Sequence, residues 1–213
     1  MVAATREGVI KFQLDFAEGP APAEELLAEL NAWRAVFRDC GLLGQNPQRY
    51  DGYGFGNLSR RLPGQDGDAF VISGTQTGHL QALRPEDYAT VLACNPETNH
   101  LKATGQVKPS SEALSHGILY RCAPEVLWVM HLHSPDIFRQ PTELNLPSTH
   151  PAADYGTPEM AAEILKLAQI HDREKPGLLI MTGHQDGILA YGPSAQATGE
   201  LVIETLSRAL QPD

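Results

Sequence analysis

The sequence predicts a single α/β domain in which helices pack against a mixed sheet, and three observations lead to this fold class. Apolar and polar residues alternate near the N-terminus, short apolar runs bounded by turn residues recur through the middle, and segments with helical spacing lie between and after them. The 213 residues are enough for one sizeable core, and no repeat, low-complexity tract or linker divides residues 1–213.

The first elements are a strand and an amphipathic helix. Residues 10–16 alternate between apolar and polar side chains, as in a half-buried strand. Apolar residues within 23–37 then recur with helical spacing, and Gly41 ends the pattern. The later elements follow from the same signals, with Thr157 and Ser194 as helix caps. The later predicted strands are at 57–61, 69–72, 88–94, 128–133, 178–181 and 188–191, and the later predicted helices are at 112–122, 157–170 and 194–210.

Composition narrows the classes of partner and compartment. A formal net charge of −10 argues against nucleic acid or an acidic membrane surface as the main partner. No stretch has the length and apolarity of a membrane span, and Met1 to Gly8 lacks the pattern of a secretion signal. Cys40, Cys94 and Cys122 are odd in number and widely spaced, which indicates free thiols in a reducing compartment. We therefore expect a cytoplasmic protein.

The most informative local pattern is His131-Leu132-His133 at the end of an apolar run. Residues i and i+2 of a strand point to the same face, so both imidazoles can reach one divalent metal ion, whereas Trp128 and Met130 should face the core on the opposite side. The alternative is one surface histidine and one hydrogen-bonded core histidine.

Two further residues favour the metal. His184 follows another buried-looking strand, and Glu112 opens the helix that precedes the His-x-His strand. Three imidazoles leave a coordination position open, and a nearby carboxylate supplies a base, as in a catalytic site. Glu112 also fits a simple helix N-terminal glutamate, and His116, one turn later, is expected to be a packed or supporting residue.

Five motifs in order resemble the class II aldolase/adducin family over nearly the whole chain. They are Gly56-Asn57-Leu58-Ser59, Ile72-Ser73-Gly74, Lys108-Pro109-Ser110-Ser111-Glu112, His131-Leu132-His133-Ser134-Pro135 and Gly183-His184. The resemblance implies a three-layer α/β/α sandwich with a central mixed, largely antiparallel sheet, and commonly a homotetramer.

The resemblance also implies roles for these residues. His131, His133 and His184 correspond to ligands of a divalent metal, usually Zn²⁺, and Glu112 to the catalytic acid/base. The phosphate of a sugar phosphate would be held by Asn57, Ser73, Gly74, Ser110 and Ser111. Hydroxyls, an amide and backbone N–H groups at glycine turns suit an oxyanion, although Ser110 and Ser111 could equally cap a helix and Ser73-Gly74 turn the chain.

The implied activity is that of a metal-dependent aldehyde-lyase, which cleaves a small sugar or ketose phosphate by a retro-aldol step through a metal-stabilised enediolate. The alternatives are a sugar-phosphate dehydratase or epimerase on the same metal site, and a non-catalytic adducin-like interaction module. Two departures from the aldolase pattern stand out. Gln185 and Asp186 follow His184 where those aldolases have glycine. Their tyrosine acid has no counterpart at the matching place, and Tyr155 and His150 are the candidates to replace it.

Overall fold

A central eight-stranded sheet carries helices on both faces, as the computed structural model describes for residues 9–64, 67–172 and 174–211. The strands are β1 (Gln13–Glu18), β2 (Gly44–Gln45), β3 (Gly54–Phe55), β4 (Asn57–Arg61), β5 (Phe70–Ser73), β6 (Tyr88–Asn95), β7 (His100–Gly105), β8 (Trp128–His133), β9 (Gly177–Ile180) and β10 (Gly187–Gly192). The helices are α1 (Ala28–Asp39), α2 (Ala113–Cys122), α3 (Pro135–Phe138), α4 (Pro158–Gln169) and α5 (Ala195–Ala209).

The sheet is mixed and largely antiparallel, as expected. Its strand order is β1-β7-β6-β5-β4-β8-β10-β9, and β2 and β3 form a separate two-stranded ribbon. The pair of β1 with β7 is parallel, whereas the other neighbours in the large sheet run antiparallel. Antiparallel strands end where their neighbours begin, so the end of β8 meets the starts of β4 and β10 at one edge of the molecule.

Two apolar cores, one on each face of the sheet, complete the three-layer α/β/α architecture. One core contains Ile118 of α2 and Ile164 of α4, and the other contains Phe37 of α1 and Val202 of α5. Trp128 and Met130 of β8 pack in the second core, as the alternation of the strand predicts. The fold class predicted from the sequence is therefore confirmed.

The structure differs from the sequence prediction in a few elements. The first strand begins at Gln13 rather than at residue 10, and the first helix is preceded by a 3₁₀ turn at Glu24–Leu26. Strand β7 and the short helix α3 were not predicted. In β7 the inward positions include the small Ala103 and Gly105, which weaken the alternation signal.

No helix of the described ranges is both long enough and apolar enough to cross a bilayer. The stretch Met1 to Gly8, on which the expectation about a secretion signal rests, lies outside the described residues.

Candidate metal centre

The candidate site lies where strand β8 ends and its two neighbours, β4 and β10, begin. In the sheet, His131 of β8 lies opposite Asn57 at the start of β4, and His133 lies opposite Gly187 at the start of β10. His131 is paired with strands on both sides, whereas His133 is paired with β10 on one side and its amide donates to the Leu42 carbonyl oxygen at 2.9 Å. Both histidines are therefore fixed by backbone contacts.

Three histidines converge at this edge. His131 and His133 are fully buried and His184 is 3% exposed. One ligand atom from each of the three lies within 4.8 Å of the others. The rings of His131 and His184 stack with centroids 4.9 Å apart, and His133 stands nearly perpendicular to His184 at 4.8 Å. The sequence-predicted ligand residues are therefore brought together, and the geometry can hold one ion among three nitrogen donors.

The orientation of His131 fits a metal ligand. Its Nδ1 lies 3.1 Å from the carbonyl oxygen of Ile188, and because a carbonyl only accepts, Nδ1 must carry the proton. The neutral ring then presents an unprotonated Nε2, which lies 3.1 Å from Nε2 of His133. Tetrahedral Zn²⁺ with bonds of about 2.0–2.1 Å places its nitrogen ligands about 3.3 Å apart, so the observed spacing suits such an ion.

Electrostatics keep the two strand histidines neutral. Burial, together with the neighbouring His184, holds the pKa of His131 and of His133 well below the usual value. Neutral imidazole is the form that donates a lone pair to a metal ion.

The turn that carries His184 is held by close backbone packing. A Cβ atom at Gly183 would overlap the carbonyl oxygen of Ala153, so only glycine fits beside the loop that approaches the site. Tyr155 of that loop stacks on the His184 ring, with centroids 4.5 Å apart, and the Lys11 ammonium lies 3.6 Å from the Tyr155 ring centroid. Of the two residues considered as a replacement acid, Tyr155 is therefore at the centre, whereas His150 is exposed.

Glu112 enters the site from the N-terminal end of α2, where it is the N-cap residue. It is fully buried, and its Oε2 accepts a hydrogen bond from Ser115 Oγ at 3.0 Å. Its Oε1 lies 3.6 Å from Nδ1 of His184. The predicted base is thus beside the histidine cluster, and Ser115, which the sequence analysis did not single out, orients its carboxylate.

His116 lies one turn further along α2 in a buried polar network. Its Nδ1 is hydrogen-bonded to Ser59 Oγ at 2.7 Å, and Ser59 Oγ also bonds the Tyr120 hydroxyl at 2.7 Å. Complete burial lowers the pKa of His116 to about 3, so this ring is neutral. Its role is that of a packed residue behind the site, as expected.

A narrow polar crevice adjoins the histidines and contains four of the five residues predicted to bind phosphate. Asn57, Gly74, Ser110 and Ser111 line it, and the other residues along it are also uncharged, namely Gly54, Gly56, Thr75, Gln76, Thr77 and Gly78. Within the described chain, Asn57 Oδ1 is buried without a hydrogen-bond partner. The crevice offers an amide, hydroxyls and glycine backbone, which together suit an oxyanion.

Two of the three serines predicted to bind phosphate have structural partners. Ser73 Oγ accepts a hydrogen bond from the Leu58 amide at 3.4 Å, and Ser110 Oγ accepts one from the Glu112 amide at 3.3 Å. Ser110 therefore stabilises the turn that leads into α2 while also lining the crevice.

Sequence reasoning missed an aromatic residue on the other side of the cluster. The Tyr50 ring lies edge-on to His133, with centroids 4.6 Å apart, and its hydroxyl donates to Asp186 Oδ2 at 2.9 Å. Nothing local in the sequence connects this tyrosine to a histidine in β8.

A family model and a characterised relative each match part of the chain. Residues 45–138 match the model of the Class II Aldolase and Adducin N-terminal domain. An 80-residue stretch is 40% identical to methylthioribulose-1-phosphate dehydratase of Methylococcus capsulatus, and this stretch is 38% of the present chain and 34% of the dehydratase. The alignment thus spans about a third of that relative.

Solved structures share the fold. An L-fuculose 1-phosphate aldolase superposes with a TM-score of 0.65 at 18% identity, covering 89% of this chain and 85% of the other. YgbL of Klebsiella pneumoniae gives 0.62 at 19% identity, with 87% of both chains covered. A second L-fuculose 1-phosphate aldolase, from Glaciozyma antarctica, gives 0.59 at 16% identity over 87% and 70%.

Proposed function

We propose that the chain, whose residues 45–138 match the class II aldolase/adducin family model, is a metal-dependent aldehyde-lyase that cleaves a small sugar or ketose phosphate by a retro-aldol step. The observation that carries the proposal is the buried convergence of three histidines beside a buried carboxylate and an uncharged polar crevice. The histidines, the carboxylate and the crevice could each have a purely structural role, but their proximity at the end of β8 fits a catalytic site.

His131, His133 and His184 are the proposed metal ligands, and Zn²⁺ is the proposed ion because three imidazole donors suit it. A bound divalent cation would supply Lewis-acid polarisation of the substrate carbonyl. The remaining steps belong to the protein's own groups.

Glu112 is the proposed acid/base. Ser115 holds one carboxylate oxygen, so the other oxygen faces the histidine cluster, where the reacting carbons must lie. In this position Glu112 would remove the proton from the hydroxyl on the carbon that becomes the aldehyde. The carbon–carbon bond then breaks, and a proton must return to the enediolate carbon to complete the second product.

The crevice beside Glu112 is the proposed binding place for the phosphate of the substrate. Asn57, Gly74, Ser110 and Ser111 line it, and Ser73 supports its wall from β5. Among the described residues, none that lines the crevice is charged, so we expect the negative charge of the phosphate to be balanced by oriented N–H and O–H dipoles and by the metal site.

Dehydration of a ketose phosphate is the second candidate, because the 40% identical stretch belongs to a dehydratase. That reaction needs the same elements, namely an ion that polarises a carbonyl, a base and an anion pocket. Epimerisation is a further alternative. The intact set of three histidines argues against a non-catalytic interaction module.

The test combines metal analysis with a substrate screen. Protein purified without chelator should contain about one divalent metal per chain, and His131→Ala should contain almost none. His100→Ala, in β7 and four strands away from β8, should match the wild type. Ketose phosphates and free ketoses are then incubated with the protein, and products are identified by mass. Two fragments indicate cleavage, loss of water indicates dehydration, and an unchanged mass indicates epimerisation.

Three further proposals concern assembly and location. We propose a homo-oligomer, a tetramer on the family pattern, which native mass spectrometry would test. Residues 1–213 are proposed to form one domain. A reducing, cytoplasmic compartment is supported by the free Cys40, Cys94 and Cys122.

A further inference from the structure

Tyr50 lies between two of the three histidine-bearing segments. Its ring packs edge-on against His133 at 4.6 Å and against Phe55 at 4.9 Å. Its hydroxyl donates to Asp186 Oδ2 at 2.9 Å, and Asp186 is two residues after His184. One side chain therefore connects the end of β8 with the turn that carries the third histidine.

The backbone at both ends of this connection is strained. Tyr50, Asp51 and Asp186 have φ values of 51°, 55° and 59°, in the left-handed region that non-glycine residues seldom adopt. Three of the six non-glycine residues with positive φ in the described ranges are therefore found at this one contact. Strained residues persist only where surrounding contacts stabilise them, and they often cluster at functional sites.

Arg49 fixes the direction of the hydrogen bond. Its guanidinium lies over the rings of Tyr50 and Phe55, 4.8 Å from each centroid, and donates to the Tyr50 hydroxyl oxygen. Arginine has no acceptor, so the phenol must accept from Arg49 and direct its own proton to the Asp186 carboxylate.

Asp186 is held to the β8 side by a second bond. Its carbonyl oxygen accepts from the Ser134 amide at 2.8 Å, directly after His133. The carboxylate and carbonyl of one residue thus tie the His184 turn to both flanks of His133. The aspartate that departs from the aldolase pattern is therefore part of the support of the site.

We propose that Arg49, Tyr50 and Asp186 form a positioning bridge, which holds His133 and the His184 turn at the spacing that a metal ion requires. The proposal rests on the proposed metal site but not on which reaction occurs there. Groups that orient metal ligands from behind typically change metal affinity by about 10–100-fold when removed. Tyr50 acts through Asp186 and the His133 ring, so we expect removal of its hydroxyl to weaken metal binding by an amount near the lower end of this range, about tenfold.

The test measures metal affinity of the full chain in the absence of substrate. Zn²⁺ affinity is determined by competition with a chromophoric chelator, and the visible absorption of Co²⁺-loaded protein reports the ligand geometry. Tyr50→Phe keeps the ring and removes the hydroxyl, and it should bind Zn²⁺ about tenfold more weakly with an altered Co²⁺ spectrum. Asp186→Gly relieves the strained backbone but removes the acceptor, and it should behave in the same way.

Two controls separate positioning from loss of stability. Asp186→Asn keeps an acceptor oxygen and tolerates the left-handed conformation, so it should rescue most of the metal affinity. Tyr88→Phe removes a buried phenol that donates to Asn31, remote from the histidines, and it should lower the Tm without changing the Co²⁺ spectrum.

The outcomes distinguish the proposals. Wild-type metal affinity and an unchanged Co²⁺ spectrum in Tyr50→Phe would overturn the bridge, whatever the activity. Weakened metal binding in Tyr50→Phe, with no turnover of any sugar by the wild type, would support the bridge and remove the proposed reaction. A wild-type protein that binds neither ion would overturn both.

Discussion

Acid should destabilise the metal-free protein in part through His116, a residue that the proposed reaction does not use. The ring is fully buried, and burial lowers its pKa to about 3 from an ordinary value of 6.5. Between these two values the unfolded chain binds a proton that the folded chain does not. The free energy of unfolding therefore falls as the pH falls, and the stabilisation is complete only above about pH 6.5.

The size of the effect follows from the two pKa values. Each pH unit inside the window lowers the free energy of unfolding by about 1.4 kcal/mol, so the contribution of His116 from pH 7 to pH 5 is about 2 kcal/mol. Substitution by asparagine removes the titrating group and retains a polar partner for Ser59. The variant should be less stable at pH 7 because it fills less volume, but it should lose less stability on acidification.

The assay is urea unfolding of both proteins at pH 7 and pH 5 in the presence of chelator. Chelator is needed because His131 and His133 bind protons and metal in competition. The contributions of these two residues cancel to a first approximation when wild type and His116→Asn are compared, and the exposed His79→Asn controls for loss of an imidazole. An equal drop in wild type and His116→Asn would refute the reasoning.

Three further predictions concern the site itself. Glu112→Gln should lower kcat by at least about a hundredfold at unchanged metal content, and full turnover would exclude the proton-transfer role. Asn57→Ala should raise KM for a phosphorylated substrate by about tenfold and leave KM for the free sugar nearly unchanged, whereas equal effects on both would remove Asn57 from phosphate binding. Gly183→Ala should lower the free energy of unfolding by about 1–3 kcal/mol in urea titration and weaken Zn²⁺ binding, because its Cβ meets the Ala153 carbonyl; a neutral result would contradict that contact.

The sequence predicts those parts of the site whose geometry depends only on neighbouring residues in the chain. His131 and His133 share a face because strand residues alternate, and this holds whatever the neighbouring strands are. Asn57 begins a predicted strand and His184 comes shortly after another, so both are expected at a strand end, where they can approach the pair. The family pattern then fixed which strand ends meet.

The supporting residues depend on tertiary contacts that leave no local trace. Ser115 is an ordinary helical residue in sequence, and its contact with Glu112 appears only once the N-cap position of Glu112 is known. Lys11 over Tyr155 joins the segment before β1 to a loop late in the chain. The order of strands in the sheet decides such contacts, and periodicity in one sequence does not encode that order.

The pairing of Tyr50 with Asp186 leads to a last prediction, which concerns relatives of this chain. Glycine at position 186 would adopt positive φ without strain and bring no carboxylate, so a site with glycine there would have no side-chain acceptor for a phenol at position 50. Aspartate adopts that conformation at a cost, and here the Tyr50 hydroxyl and the Ser134 amide both bind it. If these bonds offset the strain, tyrosine at 50 should accompany aspartate or asparagine at 186 in an alignment of relatives and be rare beside glycine. Independent variation of the two positions would mean that Asp186 is stabilised by its backbone contacts alone.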